Sequence, residues 1–342
     1  MVGTTAELNT KTVPGNRGVG EYARPAPRLL PHEWICGAFL LVLWVRLLFR
    51  VGPQAGNALF VLGLLCMNAV LVASSVFREH SRGWRLRLLF YPITMNALYL
   101  LLRNWIPTVH PHLEDAALQS ADRWLIGGNL SLHLQFLVRP ALTDFLSFCY
   151  PLYFAYLLSS QSWYFFDDLA LLKPFYVGMF TLYGLGYFGY LILPALGPYL
   201  AMANQFTVPL TGGWFTHANA WLVMKGSNRV DVFPSLHCAN TLFILLFDLR
   251  HRRWRFWLFL VPCLGIWLST IYLRYHYFVD LICGFALVPL AWWLSNLGYG
   301  KEGHMNGTAF AEGLSPITTC GTSRPFGNYA GTAPPHRKSD RA

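Results

Sequence analysis

PSLHCANTLFILLFDLRHRRWRFWLFLVPCLGIWLSTIYLRYHYFVDLICGFALVPLAWWLSNL (residues 234–297) holds three apolar runs, at 235–249, 256–274 and 277–297. A dense basic knot, RHRRWR (250–255), separates the first two. A bilayer core about 30 Å thick takes roughly 20 helical residues to cross. Only helices and closed barrels satisfy their own backbone groups in lipid, and runs of this length and spacing are helical. Lys and Arg concentrate in cytoplasmic loops. The knot therefore marks an inside turn, and the residues before 235 and around 275 meet again on the opposite side.

Five more apolar runs precede this stretch, at 33–50, 57–77, 88–102, 141–159 and 175–193. The sequence predicts an all-α, polytopic membrane bundle of about eight transmembrane helices. Composition agrees: of 342 residues, 54% are hydrophobic, 16% aromatic and only 12% charged, against about 25% charged in soluble domains. The net charge of +10 would suggest a nucleic-acid partner in a soluble protein. Here the basic residues cluster between apolar runs, as beside an anionic membrane surface, so no nucleic acid is expected. Both termini are expected in the cytoplasm, because Lys11, Arg17, Arg24 and Arg28, then Arg78, Arg82, Arg85 and Arg87, and then the 250–255 knot fall on one side. The absence of an organelle signal points to a bacterial inner membrane. Seven widely spaced cysteines with no CxxC pair read as small buried hydrophobes.

The expected organisation is a flexible tail at 1–32, two additional helices and a basic loop at 33–87, a six-helix core at 88–298, and a disordered tail at 299–342. Two long outside segments stand out. Residues 103–140 carry amphipathic stretches that suit short interfacial helices, and the Gly- and Pro-rich 194–234 reads as a structured loop. His110 and His112 belong to the first of these and read as interfacial. His217 reads as a loop residue and Asp144 as a helix-end residue.

Chemistry concentrates in VFPSLHCAN (232–240) and STIYLRYHYFVDLICG (269–284). The first puts His237 at a helix start, after Pro234 and Ser235, where unpaired backbone N–H groups can hold an anion such as phosphate. The second puts His276 four residues before Asp280, on one face if both are helical. A carboxylate there can take the proton of one imidazole nitrogen and leave the other as a nucleophile. The chain descends once and ascends once between His237 and His276, which should return both to one face near the outer surface. Alone, His237 would be a structural cap or a buried hydrogen-bonding group, and Asp280 a polar link between helices. A proton-relay transporter would need inverted repeats and broken mid-membrane helices, and neither is visible.

These two stretches resemble motifs of the type 2 phosphatidic acid phosphatase superfamily. Pro234–His237 resembles its PSxH motif, and Ser269, His276 and Asp280 keep the spacing of its SRxxxxxHxxxD motif, with Thr270 where the family has Arg. The upstream KxxxxxxRP motif has no match before the PSLH loop. ADRWLIGG (121–128), PALGPY (194–199) and HYFVDLI (276–282) resemble the inositol phosphorylceramide synthase branch instead. The resemblance implies a lipid phosphotransferase working at the non-cytoplasmic face, or alternatively a lipid phosphate phosphatase. It implies His276 as nucleophile forming a phosphohistidine, Asp280 orienting it, and His237 as acid and base. Ser235, Ser269, Lys225, Arg229 and Arg274 are the candidate substrate-binding groups. Membrane lipids are the expected partners, no obligate protein partner is inferred, and no metal or cofactor is required.

Overall fold

The computed structural model describes residues 29–74 and 76–297, and the expectations for the two tails otherwise lie outside them. Every regular element among the described residues is helical. In chain order these are α1 (Pro31–Val51), α2 (Gly56–Ala73), α3 (Val76–Glu79), α4 (Ser81–Val109), α5 (Asp115–Ile126) and α6 (Leu130–His133). After a 3-10 turn at Leu134–Leu137 come α7 (Pro140–Cys149), α8 (Leu152–Phe166), α9 (Leu169–Ile192) and α10 (Pro198–Ala201). A second 3-10 turn at Ala203–Gln205 leads to α11 (Trp214–Gly226), α12 (Leu236–His251), α13 (Arg253–Tyr272) and α14 (Phe278–Leu297).

Among the described residues, six segments are long and apolar enough to cross a membrane: α1, α2, α7 with α8, α9, α13 and α14. The other two expected runs, α4 and α12, are helices packed within the same core. Each of the two carries more polarity: α4 begins amid Arg82, Arg85 and Arg87, and α12 has 16 residues ending in Asp248, Arg250 and His251. The bundle is all-α, as its apolar pattern requires.

Several boundaries differ from the sequence expectation, each for a local reason. The helix expected at 88–102 runs from Ser81 to Val109. Its basic first turns are helical because they have partners: Arg87 pairs with Glu33 of α1 in a fully buried ion pair, and Arg85 donates to the carbonyls of Phe165 and Asp167. The run at 141–159 is broken between α7 and α8 at Tyr150–Pro151, since proline has no N–H to give and disfavours helix in the residue before it. Part of the supposed 194–234 loop is the 13-residue helix α11. It starts after the Gly212–Gly213 pair, where the Asp144 carboxylate accepts from the Thr216 N–H and hydroxyl. A carboxylate satisfies open N–H groups in a first turn and suits its positive dipole end. Asp144 thus starts α11 from a neighbouring helix.

Helix α9 is the centre of the bundle, with 78% of its most apolar window buried. Its small residues let other helices come close, the usual means of association where lipid removes the hydrophobic drive. Gly189 is the tightest case: a Cβ there would sit 2.2 Å from Pro234 Cδ and 2.7 Å from the Phe233 carbonyl. The PSLH segment is laid directly on the α9 backbone. Helix α1 also packs on α9, with Phe39 edge-on to Tyr187 at 5.7 Å and the Cys36 thiol against the Phe180 carbonyl. The two N-terminal helices therefore share one apolar core with the helices that carry the motifs.

Candidate active site

His237 stands in the first turn of α12. Ser235 is the N-cap of that helix, its hydroxyl accepting from the Cys238 N–H at 3.4 Å. Pro234 lies just outside the helix, not in its first turn. The His237 ring is wedged between aromatic rings, stacked on Tyr150 at 4.8 Å and against Tyr153 at 4.2 Å. Among the described residues its Nε2 has no hydrogen-bond partner.

His276 lies in the turn between α13 and α14, two residues before α14 begins. It does not share a helical face with Asp280 as the four-residue spacing suggested. The turn is closed by the Tyr275 and His276 N–H groups, both donating to the Thr270 carbonyl. The nearest acceptor of the His276 Nδ1–H is the Val232 carbonyl at 2.9 Å, while the Asp280 Oδ2 is 3.5 Å away. That Asp280 oxygen accepts instead from the Tyr277 N–H at 2.7 Å, capping the start of α14. The tautomer is thus set by a backbone carbonyl from the segment just before PSLH. A Nδ1–H imidazole leaves Nε2 unprotonated, and that atom lies 3.5 Å from the Ser235 hydroxyl. The backbone binds the two motifs as well, through Ser235 N–H to the Asp280 carbonyl at 3.0 Å.

The two imidazoles meet with ring centroids 5.6 Å apart, edge to face. Both line one cavity of about 60 Å³ whose walls include Tyr99, Tyr150, Tyr199, Tyr275, Ser227 and Asp231. Such a volume holds a few water molecules, the scale of a single phosphate group; lipid tails would have to stay outside it. Burial pushes His276 down to about 4, partly opposed by the Asp231 carboxylate and by the bond to the Val232 carbonyl. His276 is therefore neutral at physiological pH.

The other sequence candidates are placed differently. Ser269 is buried and turned back to the Ile266 carbonyl of its own helix, and Thr270 likewise bonds the Trp267 carbonyl. Arg274 is left-handed (φ 69°), donates to the Val208 carbonyl and lies 3.9 Å over the Phe206 ring. It fastens the 206–208 loop. Lys225 is exposed at the end of α11, and neither it, Arg274 nor Ser269 lines the cavity. Arg229 is exposed, and with Arg103 its charge reaches Tyr199 at the cavity wall. Sequence reading missed Asp231 and the tyrosines. The one linear signal for Asp231 was its place three residues before Pro234, and nothing linear ties Tyr99 or Tyr150 to the histidines.

Residues of the three branch-like stretches build the frame. Asp122, in ADRWLIGG, is buried in α5 and accepts from the Phe278 and Val279 N–H groups, the open start of α14. Asp115, just upstream of it in α5, accepts from the Leu196 and Gly197 N–H groups and from the Tyr277 hydroxyl. Gly197, in PALGPY, has φ 86°, and a Cβ there would lie 2.5 Å from the Tyr275 carbonyl. Helix α5 therefore staples the PALGPY loop and the His276 turn into one body.

Residues 116–294 match the PAP2 superfamily. This chain belongs to that superfamily. The match takes in nearly all of α5 through nearly all of α14, and with them both histidines, Asp280 and Asp122, while Asp115 stands one residue before it. No curated protein and no solved structure matches the chain. Membership, with the apolar helices, makes the protein an integral membrane enzyme of the lipid phosphatase or phosphotransferase type.

Proposed function

We propose that this PAP2 protein is a lipid phosphotransferase that passes a phospho-head group from one lipid to an alcohol through a phosphohistidine. The observation that carries this reading is the pair of imidazoles on one phosphate-sized cavity, with His276 held as the Nδ1–H tautomer by the Val232 carbonyl. In the first step His276 Nε2 attacks phosphorus. The P–N bond forms as the P–O bond to the leaving alcohol breaks, and that oxygen takes a proton from His237. In the second step an acceptor hydroxyl gives its proton to His237 and attacks phosphorus, and the P–N bond breaks. Val232 stabilises the cationic imidazole through its carbonyl dipole, and Asp280 adds its charge from 3.5 Å. The open N–H groups of the α12 start are suited to charge on the equatorial oxygens.

Transferase chemistry is favoured over hydrolysis by the ADRWLIGG, PALGPY and HYFVDLI stretches, two of which supply Asp122 and Gly197 to the frame. The site lies at the end of the bundle opposite the 250–255 knot, and we assign it to the non-cytoplasmic face, with the enzyme in a bacterial inner membrane. The test is incubation with a labelled phospholipid, with and without alcohol acceptors. A new phosphodiester lipid supports the transferase. Release of free phosphate from a monoester, whatever the acceptor, makes the enzyme a phosphatase.

A further inference from the structure

The cavity between the histidines has an unexpected charge pattern. Among the described residues, none that lines it is Lys or Arg, and the one carboxylate is Asp231. Of the basic residues nearby, Arg229 is exposed, Arg103 stands outside the lining although its charge, like that of Arg229, reaches Tyr199, and Arg274 is turned to the Val208 carbonyl. Asp231 is held in place on both oxygens. The Tyr99 hydroxyl donates to Oδ2 at 2.5 Å and the Ser227 hydroxyl to Oδ1 at 3.2 Å. Tyr99 comes from α4, outside the 116–294 match, so this arrangement draws on a helix that the match does not include. Asp231 also precedes Val232, whose carbonyl fixes His276. One short backbone segment thus presents both the carbonyl that orients the nucleophile and a fixed negative charge on the same wall.

A phosphodiester carries one negative charge. A phosphomonoester carries nearly two above its second ionisation near pH 6. Repulsion from a fixed carboxylate scales with that charge, so a monoester dianion feels twice the penalty. We propose that Asp231 is a specificity-determining residue that makes this cavity select phosphodiester head groups and reject phosphomonoesters. The inference rests on the reading that the phosphate sits between His237 and His276. At an effective dielectric of about 20 and a separation of several ångströms, the discrimination comes to about ten- to a hundredfold.

The test uses the full chain in detergent and two short-chain probes, phosphatidic acid and phosphatidylmethanol, which differ by one methyl group and one charge. Affinities are measured by titration calorimetry at pH 8. The wild-type chain should prefer phosphatidylmethanol by about ten- to a hundredfold. Asp231→Asn should bring phosphatidic acid close to parity, tightening the diester by about ten- to a hundredfold and the monoester by the square of that factor, and Asp231→Glu should keep the preference. An unaltered ratio in Asp231→Asn overturns the proposal. So does a wild-type preference for the monoester, which needs no variant to fold. His276→Gln separates the two ideas: it should keep the charge preference while losing turnover. Retained turnover in His276→Gln refutes the phosphotransfer reading and leaves the charge selection standing.

Discussion

His276 carries the most specific expectations at the scale of single residues. Its Nε2 is the proposed nucleophile, and no neighbouring group can replace it, so His276→Gln should reduce lipid turnover to background in a labelled-lipid assay. His237→Gln should cost about 10²–10⁴-fold in kcat, the usual worth of acid–base help, while the melting temperature changes little. The pH dependence follows from burial. An imidazole held down to about 4 keeps its Nε2 lone pair through pH 5 and loses it only as pH falls through about 4. The acid limb of kcat/KM assigned to His276 should therefore lie near pH 4, well below the ordinary histidine range, and a limb near 6.5 would contradict the assignment.

The elements matter because His276 is positioned by how helices start and touch. Helix α14 begins on three carboxylate bonds, two from Asp122 and one from Asp280. Replacing Asp122 with Ala leaves two N–H groups at that start without their acceptor. The cost should be about 1–3 kcal/mol, seen as a lower melting temperature in detergent, with reduced turnover because the His276 turn is anchored there. Gly189→Ala tests the other support. Its Cβ would collide with Pro234 and the Phe233 carbonyl, so the PSLH segment must move off α9 and activity should fall more than stability.

At the scale of the whole molecule, the end away from the site is tied by a second polar network. Arg255 of α13 pairs with Asp248 of α12 at 3.0 Å and reaches Ser160 of α8, while the hydroxyls of Tyr156 and Tyr164 also donate to Asp248. All of these groups are buried. Arg255→Leu would strand a buried carboxylate, at a cost of about 3–5 kcal/mol. The double variant with Asp248→Asn should recover much of the loss in thermal melting. Sidedness is testable in a chain whose own cysteines are replaced. A membrane-impermeant thiol reagent should label Arg229→Cys from outside intact cells and Arg253→Cys only after permeabilisation. The opposite pattern would place the site in the cytoplasm.

Hydropathy, the basic knot and the paired motifs were enough to determine an all-helical membrane enzyme and to single out His237, His276 and Asp280. Those signals are local: runs of apolar residues, charges in short loops, and residue types at fixed spacing. Only the tertiary structure decided what the imidazoles bond to and what faces them. The His276 tautomer is set by a carbonyl 44 residues away, and the cavity carboxylate is clamped by a tyrosine 132 residues away. Arg274 looked like a phosphate ligand by proximity in sequence, yet its left-handed backbone turns it to a different loop. Contacts of this kind arise from helix packing around α9, and no periodicity along the chain encodes them.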